Sequence, residues 1–237
     1  AFDFLMWVVT GISTGLTQGF SIQLSQYYGA KDFENLRKSL AHSYRLTAFI
    51  AAGVLILSQS FASLVLTGLH TPSNIIGMSL LYLRIIFCGI PATAAYNMFA
   101  SALRAMGNSK TPLTAMIIAS VLNVSLDILF VAGFGWGVAG AAIATVIAQS
   151  FSAVYCFLIL RRIDIVHLTR ADFMPASGMN ARLMKLGIPV VFQNIIIGVG
   201  GLVVQYVING YGFLFVAGFT ATNKLYGLLE MAAIFYG

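Results

Sequence analysis

Three oxygen-bearing side chains interrupt otherwise apolar sequence. Asn123 and Asp127 lie in "VLNVSLDILFV", and Thr145 closes "GAAIAT". Asn123 and Asp127 are four residues apart, so a helix places both on one face. A turn near Gly135 puts Asp127 about eight residues, roughly 12 Å, from one end of its helix. It puts Thr145 about ten residues, roughly 15 Å, along the next, antiparallel helix. Asp127 and Thr145 would then reach similar depth, with Asn123 a turn below, and a carboxylate, an amide and a hydroxyl would make an oxygen-rich cluster. Such oxygens suit a hard cation, and the carboxylate equally takes a proton, so the two ions would compete for one group. The plainer reading of Asp127 is a polar residue that hydrogen-bonds its neighbours and ties helices together.

The same stretch contains Gly135, Gly137 and Gly140, which spell GxGxxG. A dinucleotide site requires a strand before the glycines and an acidic residue about 20 positions later. Here the glycines follow an apolar helix, and Tyr155–Leu160 offers no acid. They fit a tight turn between two helices, with Gly140 permitting close packing.

The elements that carry these residues are membrane helices. Of 237 residues, 59% are hydrophobic and 8% charged, against about a quarter charged in soluble domains. Apolar stretches approaching the length of a bilayer span lie near 4–28, 46–67, 76–103, 113–133, 137–160, 187–209 and 213–237. The first is rich in Gly, Ser, Thr and Gln, which suits a helix facing other helices or water. The expected fold class is all-α, a polytopic membrane protein of about seven transmembrane helices.

The net charge of +6 is not gathered into one patch, which argues against nucleic acid. Basic residues fall in alternate connections: Lys31 to Arg45, Arg104 to Lys110, and Arg161 to Lys185. The loop at Gly68–Ile75 and the turns at Gly133–Gly137 and Gly210–Gly212 carry no Lys or Arg. The alternation fits seven crossings with the basic loops in the cytoplasm. In a charge-poor span, Asp127 becomes a functional-site candidate, because an intramembrane carboxylate is costly. The long polar connector Arg161–Lys185 reads as a boundary between two helix groups.

Cys88 and Cys156 lie in apolar runs and form no disulfide framework or CxxC motif. No signal peptide is evident, and the chain opens and closes inside apolar sequence, so it reads as a fragment.

The chain resembles the MATE family, the multidrug and toxic compound extrusion transporters. The matching stretches are "GLTQGFSIQLSQYYGAKD", "ASALRAMGNSKTPL", "VLNVSLDILFV", "GWGVAGAAIATVIAQ" and "LGIPVVFQN", in family order over most of the chain. The resemblance implies a twelve-helix, two-lobe transporter of which this chain corresponds to helices two to eight. Residues 1–162 would be most of the N-terminal lobe, 163–186 the cytoplasmic inter-lobe linker, and 187–237 the start of the C-terminal lobe. An internal repeat is implied, though only a faint echo links "TGISTG" and "AAIFYG".

The resemblance also implies a cation or proton site in the N-terminal lobe. It uses an Asp on helix one, outside this sequence, with an Asn and Asp four apart on helix five and a Thr on helix six. Asn123, Asp127 and Thr145 match the last three. Some members carry an acid on helix seven where this chain has Gln193, which puts a C-lobe coupling site of that type in doubt; Glu230, on the next helix, would be the candidate substitute.

Other residues divide between cavity and packing. Lys224 and Glu230 fall inside the last span, six apart, so they do not pair with each other. Both, with Asn97, Gln193 and Asn194, are candidates to line a substrate cavity. Arg84 reads as snorkelling to the interface. Pro91 would kink its helix, whereas Pro189 sits near a helix start. His42, His70 and His167 sit in or beside expected loops without zinc spacing. No GxSxG motif or plausible Ser/His/Asp set is present.

The expectation is therefore a cation-coupled (Na⁺ or H⁺) antiporter that exports cationic or amphipathic small molecules by alternating access. It is not expected to be an enzyme, and needs no cofactor besides the coupling ion, bound as Na⁺ at Asp127, Asn123 and Thr145 if sodium-coupled. It is expected in the plasma membrane, surrounded by lipid and working as a monomer when complete. The alternatives are a lipid-linked oligosaccharide flippase, disfavoured because mid-membrane cations are limited to Arg84 and Lys224, an intramembrane enzyme, and an inactive truncated product.

Overall fold

The computed structural model describes residues 2–68, 76–174, 178–209, 218–219, 221–223 and 225–227, and these are helical apart from turns and linkers. The helices are α1 (Phe2–Gly29), α2 (Phe33–Gly68), α3 (Ile76–Cys88), α4 (Ile90–Ala105), α5 (Lys110–Asp127), α6 (Gly137–Arg161) and α7 (Met179–Asn209). A π-helical turn, Ile128–Gly133, continues α5. Four of these stretches are long and apolar enough to cross a membrane, or five if α3 and α4 form one bent span. Most of the seventh expected span lies outside the described residues.

Each helix boundary has a local cause. Asp32 precedes α2 and accepts the Asn35 backbone N–H at 3.1 Å and the Asn35 side-chain amide at 2.7 Å, an N-terminal cap. The expected span 76–103 is broken at Gly89, and α3 and α4 meet at a bend of 40°. Pro91 sits in the first turn of α4, where its missing N–H costs nothing, and it ends the continuous ladder. Gly135 (φ 70°) and Gly137 (φ 54°) make the left-handed turn between α5 and α6. A Cβ on Gly140 would lie 2.9 Å from Phe130 Cβ, so close packing is the reason for that glycine. These geometries bear out the turn reading of GxGxxG.

Two expected helix starts move outward. α2 begins at Phe33 rather than 46, and α7 at Met179 rather than 187. The first turns of α2 are amphipathic: Leu36, Leu40 and Ser43 are buried while Glu34 is exposed. A search for uniformly apolar runs passes over such a segment. His42 consequently is not a loop residue. It is buried in α2, with Nε2 3.1 Å from the Met174 carbonyl and Nδ1 2.7 Å from Asn180 Oδ1. Beside it, Arg45 Nη1 donates to the Phe173 carbonyl at 2.9 Å. Asp172 is buried in a capping box with Thr169, and lies 3.9 Å from Arg37 Nε. These contacts hold the connector 164–174 against α2.

α1 packs against α2, α4 and α7 and buries Ser13, Thr17 and Gln23, as its small and polar composition leads one to expect. Its contact with α7 is antiparallel. A Cβ on Gly15 would stand 2.8 Å from Val191 N, and one on Gly19 only 2.3 Å from Gly187 Cα. The main core gathers Leu16, Phe20, Leu24, Leu40, Met98 and Leu183 where α1, α2, α4 and α7 meet. Large apolar side chains such as Phe49, Ile56, Val121 and Phe192 point outward, as expected where lipid is the solvent.

Candidate functional site on helices α5 and α6

Helix α5 presents Asn123 and Asp127 one turn apart, and α6 presents Thr145 beside Asn123. Asn123 Nδ2 donates to Thr145 Oγ1 at 3.4 Å, and Thr145 Oγ1 donates to the Ala141 carbonyl at 3.0 Å. The hydroxyl proton is thus committed to the α6 backbone. Asp127 is half-buried, and its Oδ1 is buried without a hydrogen-bond partner among the described residues. An unpaired buried carboxylate oxygen is costly, so the atom is a ready acceptor for a proton or cation.

The backbone changes at this point. Asp127 ends the α-helical part of α5, and the π-helical turn begins at Ile128, with Phe134 N–H bonding Leu129 O at 2.9 Å. Such single π turns recur at functional sites, because widening the helix frees backbone groups and re-aims side chains. Phe130, Phe134 and Trp136 stack on one another beyond it, with centroids 5.1–6.0 Å apart, and close that end.

Thr145 stands between two cavities. One, of about 220 Å³, is lined by Met116, Ser120, Asn123, Thr145, Gln149 and Ser152, with Tyr96 at its edge. The other, of about 370 Å³, is lined by Thr10, Thr14, Thr93, Asn97, Thr145 and Gln149, again with Tyr96. Asn97 therefore lines a cavity, where its Nδ2 donates to Thr14 Oγ1 at 3.0 Å. Sequence reasoning missed Thr14, Thr93, Tyr96 and Gln149. A signal was available: Thr10 and Thr14, Thr93 and Asn97, and Thr145 and Gln149 are each four apart, so each pair shares a helix face.

The remaining candidates lie elsewhere. Asn194 Nδ2 donates to the Gly11 carbonyl at 3.2 Å and ties α7 to α1. Gln193 is exposed on α7, and neither residue lines these cavities. Lys224 and Glu230 lie outside the described residues, as does His70. Arg84 is exposed on α3. Among the described residues no three His, Cys, Asp or Glu side chains converge, so the cluster offers one carboxylate with neutral oxygens.

Comparison with known proteins agrees with this architecture. The sequence pattern of the MatE family matches residues 1–129. The chain is 31% identical over 233 residues to the "Probable multidrug resistance protein YpnP" of Bacillus subtilis, covering 98% of this chain and 52% of that one. It is 24% identical to the multidrug export protein MepA of Staphylococcus saprophyticus, over 94% of this chain and 50% of MepA. The chain thus spans about half the length of the curated relatives it matches. Among solved structures, a MOP-superfamily transporter from Pyrococcus furiosus superposes with a TM-score of 0.86 at 22% identity, over 94% of this chain and 50% of that one. A MATE crystal structure in the bent conformation gives 0.85 at 23% identity, over 96% and 51%. A multi-pass helical membrane chain with this sequence pattern and these relatives belongs to the MatE family of transporters.

Proposed function

We propose that this chain forms part of a multidrug exporter driven by inward flow of Na⁺ or H⁺, with Asp127 as the ion-responsive group. The observation that carries the reading is the buried, unpartnered Oδ1 of Asp127, one helical turn from Asn123, which bonds Thr145. Asp127 supplies the charge. Asn123 and Thr145 supply neutral oxygens, and the cavity shared by Thr145 and Asn97 reaches Thr145 from α1 and α4. A proton or a sodium ion neutralises the same carboxylate, so either can bias the packing of the helices around it. It does so only by as much as its affinity differs between the two arrangements. Substrates are cationic or amphipathic small molecules, in keeping with the names borne by YpnP and MepA. The basic loops face the cytoplasm.

The test is ethidium efflux from cells expressing the whole protein, beside Asp127→Asn at matched membrane abundance. Loss of efflux in the variant, together with loss of its dependence on an imposed Na⁺ or pH gradient, supports the reading. Equal efflux from both proteins refutes the role of Asp127. Absence of efflux from the parent refutes drug export.

A further inference from the structure

A second pair of cavities lies away from the α5–α6 site, on the outer side of α2, α4 and α6. The first, of about 390 Å³, is walled by Ala48, Ala51, Ala52, Leu55, Ala95 and Phe99 and capped by Tyr44 and Thr47. The second, of about 330 Å³, lies at the end of α6 among Leu160, Arg161, Val166, His167, Leu168 and Phe173. Tyr44 and Phe157 line both, so the two cavities are neighbours that meet at these rings.

Their chemistry changes from the first cavity to the second. From Tyr44 to Leu55 the slot formed by the first follows α2 for about 16 Å, close to one leaflet's share of a hydrocarbon core about 30 Å thick. That part carries no charge. Ala48 and Ala52 are exposed, and the neighbouring Phe49 is 81% exposed, so the slot opens onto the lipid-facing surface. Thr47 lines the slot and is only 8% exposed, with its Oγ1 itself buried. At the basic end stand Arg161 and His167, with Arg162 next in sequence. One acid opposes them: Asp164 Oδ1 lies 3.8 Å from His167 Nε2 and is fully exposed.

We infer that this slot holds an anionic phospholipid from the leaflet that faces the basic loops. The phosphate sits at Arg161 and His167, the ester region beside Tyr44, and an acyl chain along Ala48, Ala52 and Leu55. Basic pockets between membrane helices are the usual seats of anionic headgroups, and the planar guanidinium matches phosphate geometry. One wall of the head site is the connector, Val166–Phe173, so the lipid bridges α2 and α6 to the segment that leads into α7. The inference rests on the membrane architecture and not on drug export.

The test uses the whole protein purified in mild detergent. Retention of phosphatidylglycerol and of phosphatidylcholine with identical chains is measured by native mass spectrometry, with thermal unfolding as a check of fold. The expected result is preferential retention of phosphatidylglycerol, reduced roughly fivefold by Arg161→Gln, as about 1 kcal/mol per basic residue implies. Ala52→Phe, which fills the chain slot without altering charge, should lower retention of both lipids. Lys110→Gln makes the same charge change on another basic loop and should leave retention unchanged. Equal retention of the two lipids, an equal loss with Lys110→Gln, or no effect of Ala52→Phe overturns the proposal. Displacement of the lipid by millimolar inorganic phosphate also overturns it, and assigns the basic cavity to free phosphate.

Discussion

Replacing Gly19 by alanine tests whether the α1–α7 seam is as close as the structure has it. The added Cβ would stand 2.3 Å from Gly187 Cα, 2.6 Å from its N and 2.7 Å from the Leu186 carbonyl carbon. Carbon atoms pack best at about 3.5–4.0 Å, so the two helices must part by more than about 1 Å. All three obstructing atoms are backbone, and no side-chain rotation relieves them. Adding one carbon to a well-packed core costs about 1–3 kcal/mol, and a backbone-on-backbone contact belongs near the upper end. Gly53 is the control. It lies within α2, and a Cβ there meets nothing within 4 Å, so Gly53→Ala should stabilise by about 0.5–1 kcal/mol through helix propensity alone. The same chemical change thus has opposite signs at two sites. Reversible unfolding in mixed micelles measures both. Spin labels at the exposed positions Ser25 and Arg182 report the helix separation. If Gly19→Ala is as stable as Gly53→Ala, with an unchanged label distance, the close α1–α7 approach is refuted.

Two further outcomes follow from the contacts near the connector. His42→Phe removes the ring nitrogens that meet the Met174 carbonyl and Asn180, both on exposed residues; losing each hydrogen bond costs about 0.5–1.5 kcal/mol. It should therefore speed proteolysis within 164–174 while sparing the α5–α6 turn. Asp32 lies outside the membrane spans, and hydrogen bonds from Asn35 lower its pKa below the ordinary 3.8. A carboxylate whose folded pKa is depressed stabilises above its unfolded value and loses that contribution as pH falls through the folded one. The stability difference between the parent and Asp32→Asn should be full at pH 5 and should shrink below pH 3.8. A difference that stays constant across that range rules out the capping role.

Much of this protein is legible in its residues because lipid is a demanding solvent. A span must be apolar and must satisfy its backbone internally, so runs such as 113–133 and 137–160 identify α5 and α6 to within a few residues. The four-residue spacing of Asn123 and Asp127 fixes their shared face, and Gly135 and Gly137 fix the turn that brings Thr145 alongside. Tertiary structure decided what one-dimensional pattern does not encode. The first turns of α2 and α7 are helical because Leu36, Leu40 and Leu183 find a common core, although their polar faces hide the helix from a search for apolar runs. His42 acquired two partners 132 and 138 residues away in sequence. Thr14, Thr93 and Gln149 became cavity residues because three helices converge on Thr145. Sequence spacing sets which side chains share a helix face; which faces then meet depends on the close approach that residues such as Gly19 and Gly187 permit.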